Sequence, residues 1–259
     1  MRQWWVLYSK EMKEFARTSK WIWVPIVFVL MGITQPVTSY YMPQILQMAG
    51  NLPAGTVIEI PPPQAGEVLA QTLSQFGLIG LLILVLSSMS TLTGEKQKGV
   101  LSLIMVRQVP AASYLSSKLA AYATLITAAF ALGYGASWYY TELLIGQQPL
   151  QEVIQSFLLY WLWFVFVLTL TILLGVCLKQ SAGVAAISLL IATLLSIGSQ
   201  LVSKYMQWSP GMLTTHAHVL LVQGDWSQVG WSIGGTLLMI GLALAAAVIL
   251  FQYKEKVPS

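Results

Sequence analysis

The chain has 259 residues, 56% of them hydrophobic and 8% charged, with a formal net charge of +4. Soluble domains carry about 25% charged residues, so a water-soluble enzyme of this size is excluded. One cysteine rules out a disulfide-stapled scaffold, and the apolar excess rules out a disordered chain. A polytopic membrane protein remains.

Residues 1–20 come first. Trp5, Tyr8, Met12 and Phe15 recur at helical spacing, and Lys10, Lys13, Arg17 and Lys20 repeat it on another face. Such a segment is expected to be an amphipathic helix in the membrane interface, rings down and ammonium groups toward anionic headgroups. Six charge-free stretches follow, each long enough to cross a hydrocarbon core that needs about 20 apolar residues. They predict spans near 21–41, 69–92, 118–140, 154–177, 181–203 and 229–252. The expected fold class is therefore an all-α integral membrane protein, one transmembrane domain of six helices behind an interfacial helix. With the N-terminus inside, 12 of the 13 basic residues fall on the cytoplasmic side, and only Lys204 falls outside. The positive-inside rule then puts both termini in the cytoplasm. A nucleic-acid partner is not implied by this charge.

The connections carry further signals. Residues 42–68 form an outer loop stiffened by Pro43, Pro53 and the run Pro61–Pro63. Residues 93–117 form the main cytoplasmic loop. Its charges lie at Glu95, Lys96 and Lys98, and a short apolar stripe at Leu101, Ile104 and Met105 is bracketed by Gly94 and Pro110 as start and stop. In the outer segment 204–228, Ser209 and Pro210 read as the start of a helix that Gly224 ends. His216 and His218 diverge by about 200° on such a helix and share no metal there; on a strand they would converge. No cysteine or close carboxylate joins them, so no metal site is expected. Ser87, Ser88, Thr124, Thr127, Thr169, Thr171, Ser188, Thr193 and Ser196 place hydroxyls within the spans, for packing or for a weakly polar path. Gly230 and Gly234 form a small-xxx-small step suited to close helix contact. Gly135–Trp138 is a fragment of a serine-elbow pattern and reads as small-residue packing. No ionisable group lies in the middle of a span, and GxxxxGK[ST] is absent, so neither an intramembrane catalytic residue nor a nucleotide-binding loop is expected here.

This layout resembles the membrane subunit of type-two ABC exporters. Lys10–Glu14 (KEMKE) is similar to the family's opening "KE" helix, and Gly94–Leu101 (GEKQKGVL) to its "EKExGTLE" segment after span two. Arg107 and Lys118 stand where the family has the Arg of Arg-Pro-Val and the Lys that opens span three; Gln108 replaces the usual Pro. The resemblance implies a transporter subunit, not an enzyme. Its 93–117 loop would be a coupling helix seated on a separate ABC ATPase subunit, through Glu95, Lys96, Lys98, Gly99, Leu101, Ile104 and Arg107. ATP and Mg would be bound by that ATPase, with no cofactor on this chain. It further implies a dimer with a second permease, alternating access, outward movement of a hydrophobic or amphipathic substrate, and the plasma membrane of a prokaryote. Two other readings stay open: a membrane-embedded immunity or signalling subunit without transport, and an ion-coupled transporter.

Overall fold

The computed structural model describes residues 2–48, 63–97, 99, 109–227 and 229–256. Every described element is helical. α1 (Arg2–Arg17) precedes α2 (Lys20–Met48). Next come α3 (Ala65–Gln75), a π-helical turn (Phe76–Gly80), α4 (Leu81–Ser88) and α5 (Ser90–Gln97), which together make one long span. α6 (Ala111–Leu144), α7 (Leu150–Cys177), α8 (Ser181–Leu201), α9 (Met212–Gln223) and α10 (Val229–Lys256) complete the chain. Six helices are long and apolar enough to cross a membrane: Lys20–Ile45, Ala65–Gln97, Ala111–Leu144, Leu150–Cys177, Ser181–Leu201 and Val229–Tyr253. The number and order match the expectation. With six crossings, both chain ends emerge at one end of the bundle, the termini end, where the Tyr114 and Phe251 rings lie 5.5 Å apart.

Several spans are longer than the charge-free stretches predict. The second begins at Ala65 rather than near 69, and the third covers Ala111–Leu144 rather than 118–140. Pro110 immediately precedes α6, and Gly94 lies inside α5; the expected apolar stripe at Leu101, Ile104 and Met105 lies outside the described residues. Both ends of the expected 93–117 loop therefore belong to span helices. The reason is that Glu95 and Lys118 find partners inside the protein, so a charge there does not end a helix. Pro25, Pro36 and Pro43 all lie within α2. Membrane helices tolerate proline because neighbouring groups satisfy the freed backbone. Of the expected outer loop, residues 49–62 lie outside the described residues.

α7 is the central helix and contacts α6, α8, α9 and α10. Around it, Phe28, Phe76, Phe130, Phe157 and Phe164 stack into an aromatic core, with centroids 4.8–6.4 Å apart. α2 and α6 cross most closely. A Cβ on Gly32 would fall 2.0 Å from the Gly133 carbonyl oxygen, so only glycine permits this approach. The expected step at Gly230 and Gly234 is different. A Cβ at either position meets nothing, and the close contact of α10 is at Gly235, against the Trp208 backbone. Large apolar side chains cover the outside, including Leu30, Leu194, Leu201, Leu238, Leu242 and Ile249. In water such a surface would aggregate; in hydrocarbon it is the expected solvent-facing surface.

α9 starts at Met212, two residues after the predicted Ser209–Pro210 start. Ser209 Oγ is engaged by the Gly211 N–H and by the Ser199 hydroxyl, which holds a preceding turn. Gly224 ends the helix with φ +69°, as predicted. His216 is half-buried and His218 exposed on this helix. Ser137, the elbow-like serine, is buried and donates to Thr72 Oγ1 at 2.9 Å, a packing role.

Candidate functional site

The residues that the sequence singles out converge on the termini end, where α1, the end of α5 and the first turns of α6 meet. Glu11 faces inward from α1 because its neighbours one turn away, Leu7, Tyr8 and Phe15, pack into the protein. Lys118 is only 1% exposed, with Leu115 and Tyr122 on the same face. Its Nζ lies between two carboxylates, 2.7 Å from Glu11 Oε1 and 3.1 Å from Glu95 Oε2. Lys10 Nζ donates to Glu95 Oε1 at 2.5 Å and sits 3.7 Å from Glu11 Oε1. The Tyr114 hydroxyl donates to Glu95 Oε2, and the Lys118 ammonium lies 5.2 Å from the centre of the Tyr114 ring.

The network alternates in sign, two ammonium groups against two carboxylates. A buried charge is tolerable only when it is paired and hydrogen-bonded in this way. Burial pushes the Lys10 ammonium down, but the hydrogen bond and charge of Glu95, helped by Glu11 and Glu14, outweigh it and raise Lys10 above the usual lysine value. The Glu11, Glu14 and Glu95 oxygens lie within 4.8 Å of one another. Two of these three acids already share Lys10 and Lys118, so the cluster is an ion-pair network in character rather than a metal centre.

Two more lysines tie the same region together. Lys20 Nζ donates to the Ser87 carbonyl at 2.7 Å and to the Tyr122 hydroxyl at 3.0 Å. Lys96 Nζ donates to the Gly175 and Val176 carbonyls at 2.8 and 2.9 Å. Those carbonyls lie in the last turn of α7, the negative end of its dipole. Thr93 Oγ1 and Ser181 Oγ, 2.7 Å apart, link α5 to α8. α5 is thus fastened to α1, α6, α7 and α8 by polar contacts within about one turn.

The predicted residues divide accordingly. Glu95 and Lys96 were expected at a rim, pairing with a partner chain; both are instead engaged within this chain. Gly99 has φ +67°, and its N–H donates to the Lys96 carbonyl at 3.2 Å, so it ends α5 through a left-handed turn. Lys98, Leu101, Ile104 and Arg107 lie outside the described residues. The expected membrane-facing stripe of α1 is corrected. Phe15 is buried edge-on against the Tyr122 ring, 4.6 Å between centroids, and Tyr8 and Met12 pack on the core. Trp5 alone of the four remains exposed, at 63%. The reason is the same one that predicts the stripe: an apolar helix face binds the nearest apolar surface, and here that is α6. Val6, Ser9, Lys13 and Arg17 occupy the outer face.

Sequence reasoning missed Glu11 and Tyr114, and it read Lys10 as facing headgroups. Glu11 carried a signal, an acid amid the apolar face of an amphipathic helix. Tyr114 carried none.

Residues 28–256 match the model of a family described as a protein of unknown function (DUF2705), and the chain belongs to that family. It is also 33% identical over 250 residues to the uncharacterized transmembrane protein YxlG of Bacillus subtilis (strain 168). That match covers 96% of this chain and 97% of the relative. The six apolar helices and this kinship together identify a multi-pass integral membrane protein.

Proposed function

We propose that this protein is the membrane-spanning permease subunit of an ATP-driven ABC exporter, with its termini end in the cytoplasm of a prokaryotic cell. The observation that carries the reading is the α1–α5–α6 junction. It ties α1, the end of span two and the start of span three into one unit, and residues 98–108 are the sequence that joins those two spans. Those residues include Leu101, Ile104 and Arg107, the apolar and basic positions that resemble the family's coupling helix. A force applied there would pass into three span ends at once, because buried ion pairs resist separation. A separate ATPase subunit would bind ATP and Mg, and its closure would rock the spans between two orientations. Glu95 and Lys96 would hold the segment in place rather than touch the ATPase; Lys98, Gly99, Leu101, Ile104 and Arg107 remain the proposed contact.

The open face of α10 supports a second permease copy or a related chain. A Cβ at Gly230, Gly234 or Gly241 meets nothing within the chain, and small residues on a lipid-facing helix favour close approach by another helix. A hydrophobic or amphipathic cargo suits spans without mid-membrane charges.

The test is a pull-down of the tagged full chain from native membranes in mild detergent. Wild type should recover a P-loop ATPase. Leu101→Asp/Ile104→Asp, which leaves the ion-pair network intact, should abolish that recovery while the chain still elutes as a folded species. A stable, pure chain with no ATPase in the wild-type sample would overturn the reading.

A further inference from the structure

Most hydroxyls of the spans bond within their own helix. Ser87, Ser88, Thr124, Thr127, Thr169 and Thr171 each donate to a carbonyl of their own helix three or four residues back. Thr193 and Ser196 do not. They line a cleft with a cavity volume of about 640 Å³ between the π-helical turn, α7, α8 and α9, toward the end of the bundle away from the termini. That size suits a small ligand or a lipid headgroup.

The cleft wall is built, not incidental. Tyr160 is 4% exposed, and among the described residues nothing hydrogen-bonds its hydroxyl. The hydroxyl borders Gly77 in the π-helical turn, where an added Cβ would stand 2.5 Å from Oη. π-Helical turns are rare and concentrate at functional positions. Thr215 Oγ1, from α9, is buried without a partner in the same wall. The buried Thr215 oxygen loses a hydrogen bond for no return unless something in the cavity supplies one, and Tyr160 adds a second hydroxyl to the same lining. Gln200 and Ser203 add further polar groups to the wall.

The chemistry of the lining defines the ligand. No Asp, Glu, Lys or Arg lines the cleft, so no carboxylate, ammonium or guanidinium faces a charged headgroup; the His218 imidazole, which donates and accepts, joins the polar lining. Hydroxyl and amide groups donate and accept, and they match a neutral polyol. Tyr160 and Trp163 add aromatic surface to the wall. On the outer side the cleft runs onto Leu78 and Ile197, which are 75% and 51% exposed, an apolar track open to hydrocarbon.

We infer that this cleft binds the neutral polyol headgroup of a glycosyl lipid, with its acyl chains along the Leu78 and Ile197 flank. The inference concerns a binding site on this chain and stands apart from the ATPase reading. It is tested without an ATPase.

The experiment is native mass spectrometry of the purified full chain, titrated with monoglucosyl diacylglycerol or with phosphatidylglycerol of the same acyl chains. One glycolipid should be retained at about tenfold lower concentration than the phospholipid. Tyr160→Phe and Thr215→Val each remove one hydrogen-bonding group and should weaken glycolipid retention about fivefold. Phospholipid retention should not move. Thr34→Val should change neither, because the Thr34 hydroxyl donates to its own helix at Leu30. Melting curves check that each variant is folded, and Ser196→Ala provides a second wall position should Tyr160→Phe fail to fold. Equal retention of the two lipids by wild type would overturn the inference. So would folded wall variants that hold the glycolipid as tightly as wild type.

Discussion

Lys118 illustrates how a single side chain can organise a membrane-protein end. It is 1% exposed and faces Glu11 and Glu95, themselves buried. Replacing it with Met removes one charge and leaves the buried Glu11 carboxylate with Lys10 at 3.7 Å, while Glu95 keeps Lys10 and Tyr114. Breaking a buried pair from one side costs about 3–5 kcal/mol, much of it the penalty on the partner left behind. Lys118→Met is expected to destabilise the detergent-solubilised chain by an amount in that range, read as a fall in its melting temperature. Adding Glu11→Gln to it should recover part of the loss, since one stranded charge is removed. A double variant as unstable as the sum of its single variants would show that the two groups are energetically independent. Lys10 differs in kind. It is 40% exposed and borders solvent, so Lys10→Met should cost less than Lys118→Met in the same assay.

Among the elements, the crossing of α2 and α6 rests on two glycines. A Cβ at Gly133 would fall 2.5 Å from the Phe28 carbonyl oxygen, a backbone atom that cannot swing aside. Gly133→Ala should force the helices apart and cost about 1–3 kcal/mol, the range for overpacking a tight contact. Gly135 lies two residues along the same helix and meets nothing within 4 Å. Gly135→Ala should change stability by no more than about 1 kcal/mol, toward greater stability, because alanine restricts the unfolded backbone. Thermal melting of the two variants side by side separates close approach from helix propensity. α1 teaches a related lesson. Its stripe of Tyr8, Met12 and Phe15 is legible as amphipathic, but periodicity reports only that a face is apolar. It does not distinguish lipid from a neighbouring helix as the surface that the face meets.

For the molecule as a whole, the proposed orientation has a direct consequence. Gly146 lies in the turn between α6 and α7, at the end opposite the termini, and Ser9 is exposed on α1. With the native cysteine replaced (Cys177→Ser), Gly146→Cys should react with a membrane-impermeant maleimide in intact cells. Ser9→Cys should react only after permeabilisation. The reverse pattern would invert the orientation and remove the ATPase from reach of residues 98–108. The six-span order was legible because lipid imposes one requirement everywhere, about 20 apolar residues without a charge. Span ends were less legible. Glu67, Glu95 and Lys118 lie inside helices, and their charges suggested ends that the helices do not have.

What could be read from the chain alone was set by its solvent. Partition between water and hydrocarbon depends on composition along one dimension, so the number of spans, their order and the amphipathic character of α1 were all available from residue types and spacing. Pairing across helices depends on positions far apart in sequence, and folding alone brings them together. Lys118 meets Glu11 across 107 positions, and Trp4 reaches Ser116 across 112. The same holds for the cleft. Tyr160, Gly77, Ser196 and Thr215 sit on four separate elements, and each reads in isolation as ordinary packing. The unpartnered Thr215 oxygen acquires meaning once the π-helical turn, α7 and α9 enclose one volume, because a missing hydrogen bond is a property of surroundings and not of a residue type.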